Sequence, residues 1–595
     1  MSNRKQRLEL TWIGKDERTR LEPRILLEDA DKSYHAKARV TDHDIFNNIL
    51  IQGDNLLALK ALEQEFAGRV NCIYIDPPYN TGNAFEHYDD GVEHSIWLTL
   101  MRDRLELLWR LLNPHGFICC HIDDSEGHYL KVLLDEIWGR DNYLTTLYVQ
   151  VRYPAKTLKQ DMNFHKEIEH IHVYRKGYGA TPILNFQTSS FEKFRFYIHE
   201  TARGCETSLG GKKVTLFQPG EYEISEGEGG PDGLKEIWAT GTILDGNSSG
   251  RFFRDYLQGR AEQDGLGVLY KVEGIGDDKF AYRYFTGPKR QSATKGKYFQ
   301  GVPIDQLEDP NAQQFSPIEN FCDLAGAFGN CRHEGGVEFR SGKKPERLLE
   351  IVLQHFSRPG DLVLDSFAGS GTTGAVAHKM RRRWIMVELG EHCETHIVPR
   401  LTRVVDGTDL TGATESAHWK GGGGFRYYRL APSLLEKDEW GNWVISKEFD
   451  AAKLSQAVCK LMGFVYEPDE TRYWMQGRSS ETDFIYVTTQ NLTHQQLTAI
   501  SEEVGEERTL LVCCKAFRAN ADAFSNLTIK KIPQAVLRKC EWGHDDYSLN
   551  VANLPETPRM TDADDAPALK FKNGKKRGNS KGAYQNDLFK QEVGK

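Results

Sequence analysis

The chain is poor in the features that mark several large classes of protein. No apolar run approaches the roughly 18 residues that span a bilayer, and the leading segment MSNRKQRLELTW has none of the apolar core of a signal peptide. These absences point to a soluble, cytoplasmic protein without a membrane partner. No CxxC pair occurs among the eleven cysteines. The adjacent pairs Cys119 with Cys120 and Cys513 with Cys514 sit in strand-like runs, so buried free thiols are expected rather than a zinc site. Positive charge is not in excess either. A net charge of −9 argues against a surface that binds nucleic acid everywhere, and leaves room only for local patches. Two such patches exist, GPKRQSATKGKYF (residues 287–299) and KFKNGKKRGNSKG (residues 570–582). Finally, no P-loop signature GxxxxGK[ST] is found, because no lysine follows Gly371 in the one glycine run that precedes a helix; triphosphate binding is not expected.

A length of 595 residues is too great for one core. From Asn48 onward strands alternate with helices. ILIQ leads through GDN into LLALKALEQEF, NCIYI runs into DPPY, residues 94–112 carry apolar positions at helical spacing, and GFICCHI precedes the helical SEGHYLKVLLDEIWG. That rhythm predicts an α/β fold with a mostly parallel, Rossmann-like sheet. It stops over 151–330, where glycines, aromatics and turns predict an inserted α+β domain. It resumes with a helix over 343–356, in which Pro345 falls near the first turn, then the strand–turn–helix DLVLDSFAGSGTTGAVAHKM and the strand RRWIMVE. GGGG at 421–424 reads as a linker to a smaller C-terminal α/β domain. The expected organisation is an N-terminal arm (1–45), two halves of one α/β domain (46–150 and 331–420) around the insert (151–330), the C-terminal domain (430–555), and a basic, disordered tail (556–595).

Two stretches carry chemistry. FAGSGTTG (367–374) follows an apolar strand and opens a helix, so its glycines can turn tightly and bring free N–H donors to a ligand. Its GSGTTG also fits the dinucleotide pattern GxGxxG. An acid at the end of the next strand, Glu388, could hold ribose hydroxyls with either cofactor type. The second stretch is DPPY (76–79), at the end of another strand. A carboxylate on Asp76 and a carbonyl on Pro77, held by the following proline, could accept both N–H bonds of an exocyclic base amine and free its lone pair. Tyr79 offers a flat face for a base taken out of the helix. An electrophile that is already activated, such as a methyl on a sulfonium, would leave the protein only positioning and electrostatics to supply, with no metal.

DPPYNTG (76–82) and DSFAGSGTTG (365–374) resemble the catalytic and S-adenosylmethionine motifs of the DNA amino-methyltransferases. Their order, catalytic motif first with a long region between, is similar to the β class. With GDNLLALKAL, CCHIDDSEGHYLKVLLDEIWG, FHKEIEHIHVYRKG and FTGPKRQSATKGKYF around them, they look like the modification subunits of type III restriction–modification systems. The resemblance covers roughly residues 45 to 405. It implies a methyltransferase-like α/β fold, S-adenosylmethionine as cofactor, and transfer of methyl to N6 of a flipped adenine in a specific double-stranded DNA sequence, with the insert as target-recognition domain. It also implies Asp76, Pro77, Pro78 and Tyr79 as the catalytic quartet. Asp365, Phe367, Gly369, Gly371 and Thr372 would shape the methionine end of the cofactor site beside Lys344 and Pro345, Glu388 would hold the ribose, and Asp54 and Asn55 would lie near the adenine or amino group. For Asp54 a helix cap before LLALKAL is an equally available role. Partners expected are DNA, a second copy of the chain, and a separate ATP-dependent restriction subunit, since no nuclease or P-loop motif is found here. N4-cytosine methylation, a non-catalytic DNA-recognition subunit, and hydride transfer on a Rossmann sheet are the alternatives; the last leaves DPPY unexplained.

Overall fold

The computed structural model describes residues 9–79, 90–154, 164–188, 191–239, 248–276, 278–293, 295–308, 313–339 and 342–547. Asn80, Thr81 and Gly82 of the DPPYNTG stretch, the basic run at 570–582 and the expected tail at 556–595 lie outside them. Among the described residues no helix is long and apolar enough to cross a membrane.

The central sheet is built from β1 (Asn48–Gln52), β2 (Val70–Ile75), β3 (Leu112–Ile122), β4 (Tyr143–Gln150), β5 (Ile168–Arg175), β6 (Phe321–Asp323), β7 (Leu362–Asp365), β8 (Arg383–Glu388) and β9 (Gly424–Leu430). Their spatial order is β9-β1-β8-β7-β2-β3-β5-β4-β6. The pairs from β9 through β3 are all parallel, whereas β5 runs antiparallel to both β3 and β4. Helices α1 (Asn55–Phe66), α2 (Asp90–Leu111), α3 (Gly127–Trp138), α4 (Glu346–Phe356), α5 (Thr372–Lys379) and α6 (Val398–Val405) cover the two faces. Two apolar clusters result, one on each side of the sheet. Strands buried on both faces explain why VNCIYI and LVLD read as near-continuous apolar runs.

The two halves separated by the insert do not form separate sheets. β7 and β8 slot between β1 and β2, with Val363 opposite Cys72 and Leu364 opposite Ile73. The ends of β1, β8, β7 and β2 therefore share one rim, where open α/β sheets bind ligands.

Three expected boundaries shift. β5 and β6 fall within 151–330 yet pair in the central sheet, because Ile171, Val173 and Tyr174 are buried there. The run at 421–424 is no linker: Gly421, Gly422 and Gly423 take φ of +98°, +110° and +76°, and a Cβ on Gly422 would lie 2.5 Å from Asp44. That run drops the chain directly into β9, which also pairs with Leu26–Glu28 of the N-terminal arm. Among its described residues, the rest of the insert is built chiefly on an eight-stranded antiparallel sheet with its own apolar cluster around Val214, Phe253, Tyr270 and Phe285. Beyond β9, parallel strands Asp483–Val487, Thr509–Cys514 and Leu527–Lys531 with helices Ala451–Met462 and His494–Val504 make the smaller α/β unit.

Candidate active site

The rim is assembled from strand ends. DPPY leaves β2; Pro77 is buried, and the exposed Pro78 has its carbonyl fixed by the Trp97 indole N–H at 2.9 Å. Asp76 Oδ1 accepts from the Tyr79 hydroxyl at 2.8 Å, and Asp76 Oδ2 lies 3.1 Å from the Lys344 ammonium. That ammonium also donates to Tyr79 Oη at 2.7 Å, sits 4.8 Å from the Tyr79 ring centre, and lies 3.3 Å from Glu169 Oε2. Glu169 in turn faces His121 Nε2 at 2.8 Å, and the other ring nitrogen of His121 bonds Tyr74 Oη at 2.8 Å. Burial works against the Lys344 charge, but Asp76 and Glu169 outweigh it and raise its pKa. Burial likewise pushes the Tyr79 hydroxyl well above the usual phenol range, and the two carboxylates add to the effect. Burial alone would raise Glu169; the His121 ring facing it and the Lys344 ammonium hold it far below the ordinary carboxylate value.

On the other side of Pro78 lies a cleft of about 150 Å³, lined by Asp54, Asn55, Arg104, Ser366, Phe367 and Glu388 among others. Ser366 and Phe367, at the head of the glycine turn, line part of its wall. Gly369 and Gly371 take φ of +53° and +75°, and a Cβ on Gly371 would come within 2.8 Å of Ile397. Glu388 ties the turn down: one carboxylate oxygen accepts the Gly369 N–H at 2.7 Å, the other the Gly390 N–H at 2.9 Å. Burial would raise its pKa, but His392 and those two amides lower it. Asp365 points away from the cleft into the turn, accepting from Thr373 Oγ1 at 2.5 Å and from the Phe367 N–H at 2.9 Å. Its burial pushes the carboxyl up to about 7. Thr372 donates to the Lys344 carbonyl at 3.1 Å, so the glycine turn and the segment before α4 are joined.

Asp54 caps α1, with Oδ1 accepting the N–H groups of Leu56 and Leu57, and its other oxygen lies 3.4 Å from Arg104. The capping role weighed from sequence is thus present together with a place on the cleft. Asn55 donates to the Ser366 carbonyl at 2.8 Å. Lys344 and Pro345, expected beside the cofactor residues, divide: Pro345 precedes α4 in extended conformation, while the Lys344 side chain joins Asp76.

The sequence motifs assign no role to Glu169, His121 or Arg104. The signal for Arg104 is its place four residues from both Leu100 and Leu108 on the buried stripe of α2, where an apolar residue belongs. For Glu169 it is an acid at the start of an apolar strand. A larger cleft of about 580 Å³ lies in the insert, lined by Trp238, Lys289, Arg290, Lys295 and Lys297. It belongs to the run at 287–299 and lies apart from the rim.

Residues 70–398 match the family described as DNA methylase. Among similar proteins is the probable type III restriction-modification enzyme HindVI Mod subunit of Haemophilus influenzae, 32% identical over 66% of this chain and 55% of its own length. The type III EcoPI Mod subunit of Escherichia phage P1 is 26% identical over 63% of this chain and 61% of that one. The EcoP15I Mod subunit of Escherichia coli is 31% identical over 73% of each. The chain thus spans little more than half of the HindVI subunit and about three-fifths of the EcoPI subunit. The match over 70–398 takes in more than half of the sequence, both halves of the central sheet and every strand end on the rim from β2 to β8, and on that ground the chain belongs to the DNA methylase family.

Proposed function

We propose that the protein transfers a methyl group from S-adenosylmethionine to the N6 amine of an adenine in a specific double-stranded DNA sequence, as the modification subunit of a type III-like restriction–modification or other phage-defence system in the cytoplasm. The observation that carries this reading is the pairing of Leu364 with Ile73, which sets the glycine turn and Asp76 at adjacent strand ends of one crevice.

The cleft residues fit the cofactor. The Ser366 hydroxyl in its wall is buried with no hydrogen-bond partner among the described residues, and Glu388 reaches the rim from β8 as a ribose acceptor would. In this reading Asp54 and Asn55 lie on the adenine side and Phe367 at the methionine end, with Gly369, Gly371 and Thr372 shaping the turn behind it and Asp365 bracing that turn. When bound, the cofactor supplies a methyl group already activated on a sulfonium. The chain's part is then positioning. Asp76 and the Pro77 carbonyl accept the two amine N–H bonds and draw the lone pair out of conjugation with the ring. Trp97 keeps the Pro78 turn fixed while this happens. Tyr79 provides the stacking face for the flipped base.

The inserted sheet reads the target in this proposal, supported by the basic cleft whose Trp238 is 58% exposed beside Lys297. The C-terminal unit is the candidate for dimerisation or for docking a separate ATP-dependent restriction subunit. The test is nucleoside mass spectrometry after incubating the protein with unmethylated DNA and S-adenosylmethionine. N6-methyladenine is the expected product. N4-methylcytosine would keep the clamp and overturn the target base, and no methylated base, with candidate partner subunits also supplied, would overturn the reading.

A further inference from the structure

Both oxygens of Asp76 are occupied: Oδ1 by the Tyr79 hydroxyl and Oδ2 by the Lys344 ammonium. The same ammonium lies at the hydroxyl edge of the Tyr79 ring, 4.8 Å from its centre. An exocyclic amine that donates one N–H to Asp76 therefore competes with these two donors for the carboxylate, and the ammonium, as the charged one, is the stronger competitor. An ammonium on a side chain only 9% exposed cannot be left without an acceptor at small cost. One acceptor is already in place. Glu169 Oε2 is 3.2 Å from Tyr79 Oη and 3.3 Å from Lys344 Nζ, within reach of both donors without a change of backbone. The same oxygen also faces His121 Nε2 at 2.8 Å, and Tyr74 holds that ring through its other nitrogen.

We propose that Glu169 is a positioning residue that takes over the Lys344 ammonium and the Tyr79 hydroxyl when the target amine claims Asp76. The inference rests on the reading of Asp76 as the amine acceptor. Glu169 would touch neither substrate nor cofactor; it acts by offering Lys344 a second carboxylate, so that the ammonium does not compete with the base. Without that charge Lys344 stays on Asp76, and the competent arrangement is populated in only a fraction of complexes, which lowers the rate by that fraction. His121 has a defined part as well. By facing Glu169 Oε2 it keeps the carboxylate turned toward the cluster, at the junction of β3 and β5.

The test is single-turnover methyl transfer to a target duplex, with cofactor and DNA saturating. Glu169→Gln keeps the shape and removes the charge. It should slow transfer roughly 10-fold or more, since a neutral acceptor holds an ammonium more weakly than a carboxylate does, and leave cofactor affinity by calorimetry unchanged. Glu169→Asp, which keeps the charge, should recover part of the rate. Glu169→Gln combined with Lys344→Met should be faster than Glu169→Gln alone, because the competitor is gone; a merely structural loss would not be repaired by a second core substitution. A wild-type rate for Glu169→Gln, or a double variant no faster than the single one, overturns the proposal. Full activity of Asp76→Ala would instead overturn the reading beneath it, so the two failures are distinct.

Discussion

The Lys344 ammonium donates to the Tyr79 hydroxyl at 2.7 Å across 265 residues of chain. That bond is one of several by which a short segment before α4 joins the two halves of the site. Lys343 donates to the carbonyls of Glu334 and Val337, at 2.5 and 2.9 Å. Lys344 reaches the DPPY turn after β2. Glu346, fully buried, pairs with Arg400 at 2.8 Å and Lys379 at 2.7 Å. Arg400 then grips the glycine turn through the Ser370 carbonyl at 3.0 Å and Thr372 Oγ1 at 2.8 Å. Lys344, Glu346 and Arg400 thus link the DPPY turn to the glycine turn.

Asp76→Ala should abolish methyl transfer, by more than about 100-fold, while cofactor affinity stays within a few-fold. Asp76 touches Tyr79 and Lys344 but does not line the cleft. Rate by radiolabelled methyl incorporation and affinity by calorimetry separate the two effects. Unchanged turnover would remove Asp76 from the chemistry.

Glu388→Ala should act the other way round. Its carboxylate holds the Gly369 amide and faces the cleft, so its loss should weaken cofactor binding by about 1–3 kcal/mol with a smaller effect on the rate at saturation. Glu388→Gln, which keeps an acceptor for Gly369, should lose less. Equal affinity of wild type and Glu388→Ala in calorimetry would refute the role.

Much of this arrangement can be read before any coordinates. The apolar runs ending in DPPY and in DSFAG locate two strand ends, and the resemblance of those motifs to the DNA amino-methyltransferases names the further residues expected on the rim. What local pattern does not contain is adjacency. Nothing in VNCIYI or LVLD says that Leu364 lies opposite Ile73, because parallel pairing is set by crossover packing far along the chain. The same holds for Glu169, whose meaning depends on β5 running back beside β3. The glycine run at 421–424 misleads for a related reason. Glycine serves both flexible linkers and close backbone approach, and only the contact of Gly422 with Asp44 distinguishes them.

Arg400→Met should cost stability and cofactor affinity together. The guanidinium is fully buried, and its removal leaves Glu346 with the Lys379 ammonium as its remaining charge partner and the Ala413 N–H as a further donor. Breaking a buried pair from one side costs about 3–5 kcal/mol, to be read from urea denaturation. Because Arg400 also holds Ser370 and Thr372, the surviving folded protein should bind the cofactor more weakly in calorimetry. A variant as stable as wild type would mean that the network contributes nothing net.

Asp365 supplies a prediction in pH. Burial raises its carboxyl from the ordinary 3.8 to about 7, although Thr373 and the Phe367 amide both favour the ionised form. Between those two values the folded state holds a proton that the unfolded state has released. Stability from this group is therefore fully present below the unfolded value and is lost as pH rises through about 7. Asparagine does not titrate, and it can still accept a hydrogen bond from the Phe367 amide. Asp365→Asn should accordingly be most destabilised relative to wild type near pH 4, and the deficit should shrink toward pH 8, with a slope of at most about 1.4 kcal/mol per pH unit. Urea midpoints for both proteins across that range measure the difference directly, since titrations elsewhere in the molecule cancel. A deficit that grows as the pH rises would show that the ionised form is the one the turn prefers, with Thr373 and the Phe367 amide outweighing burial.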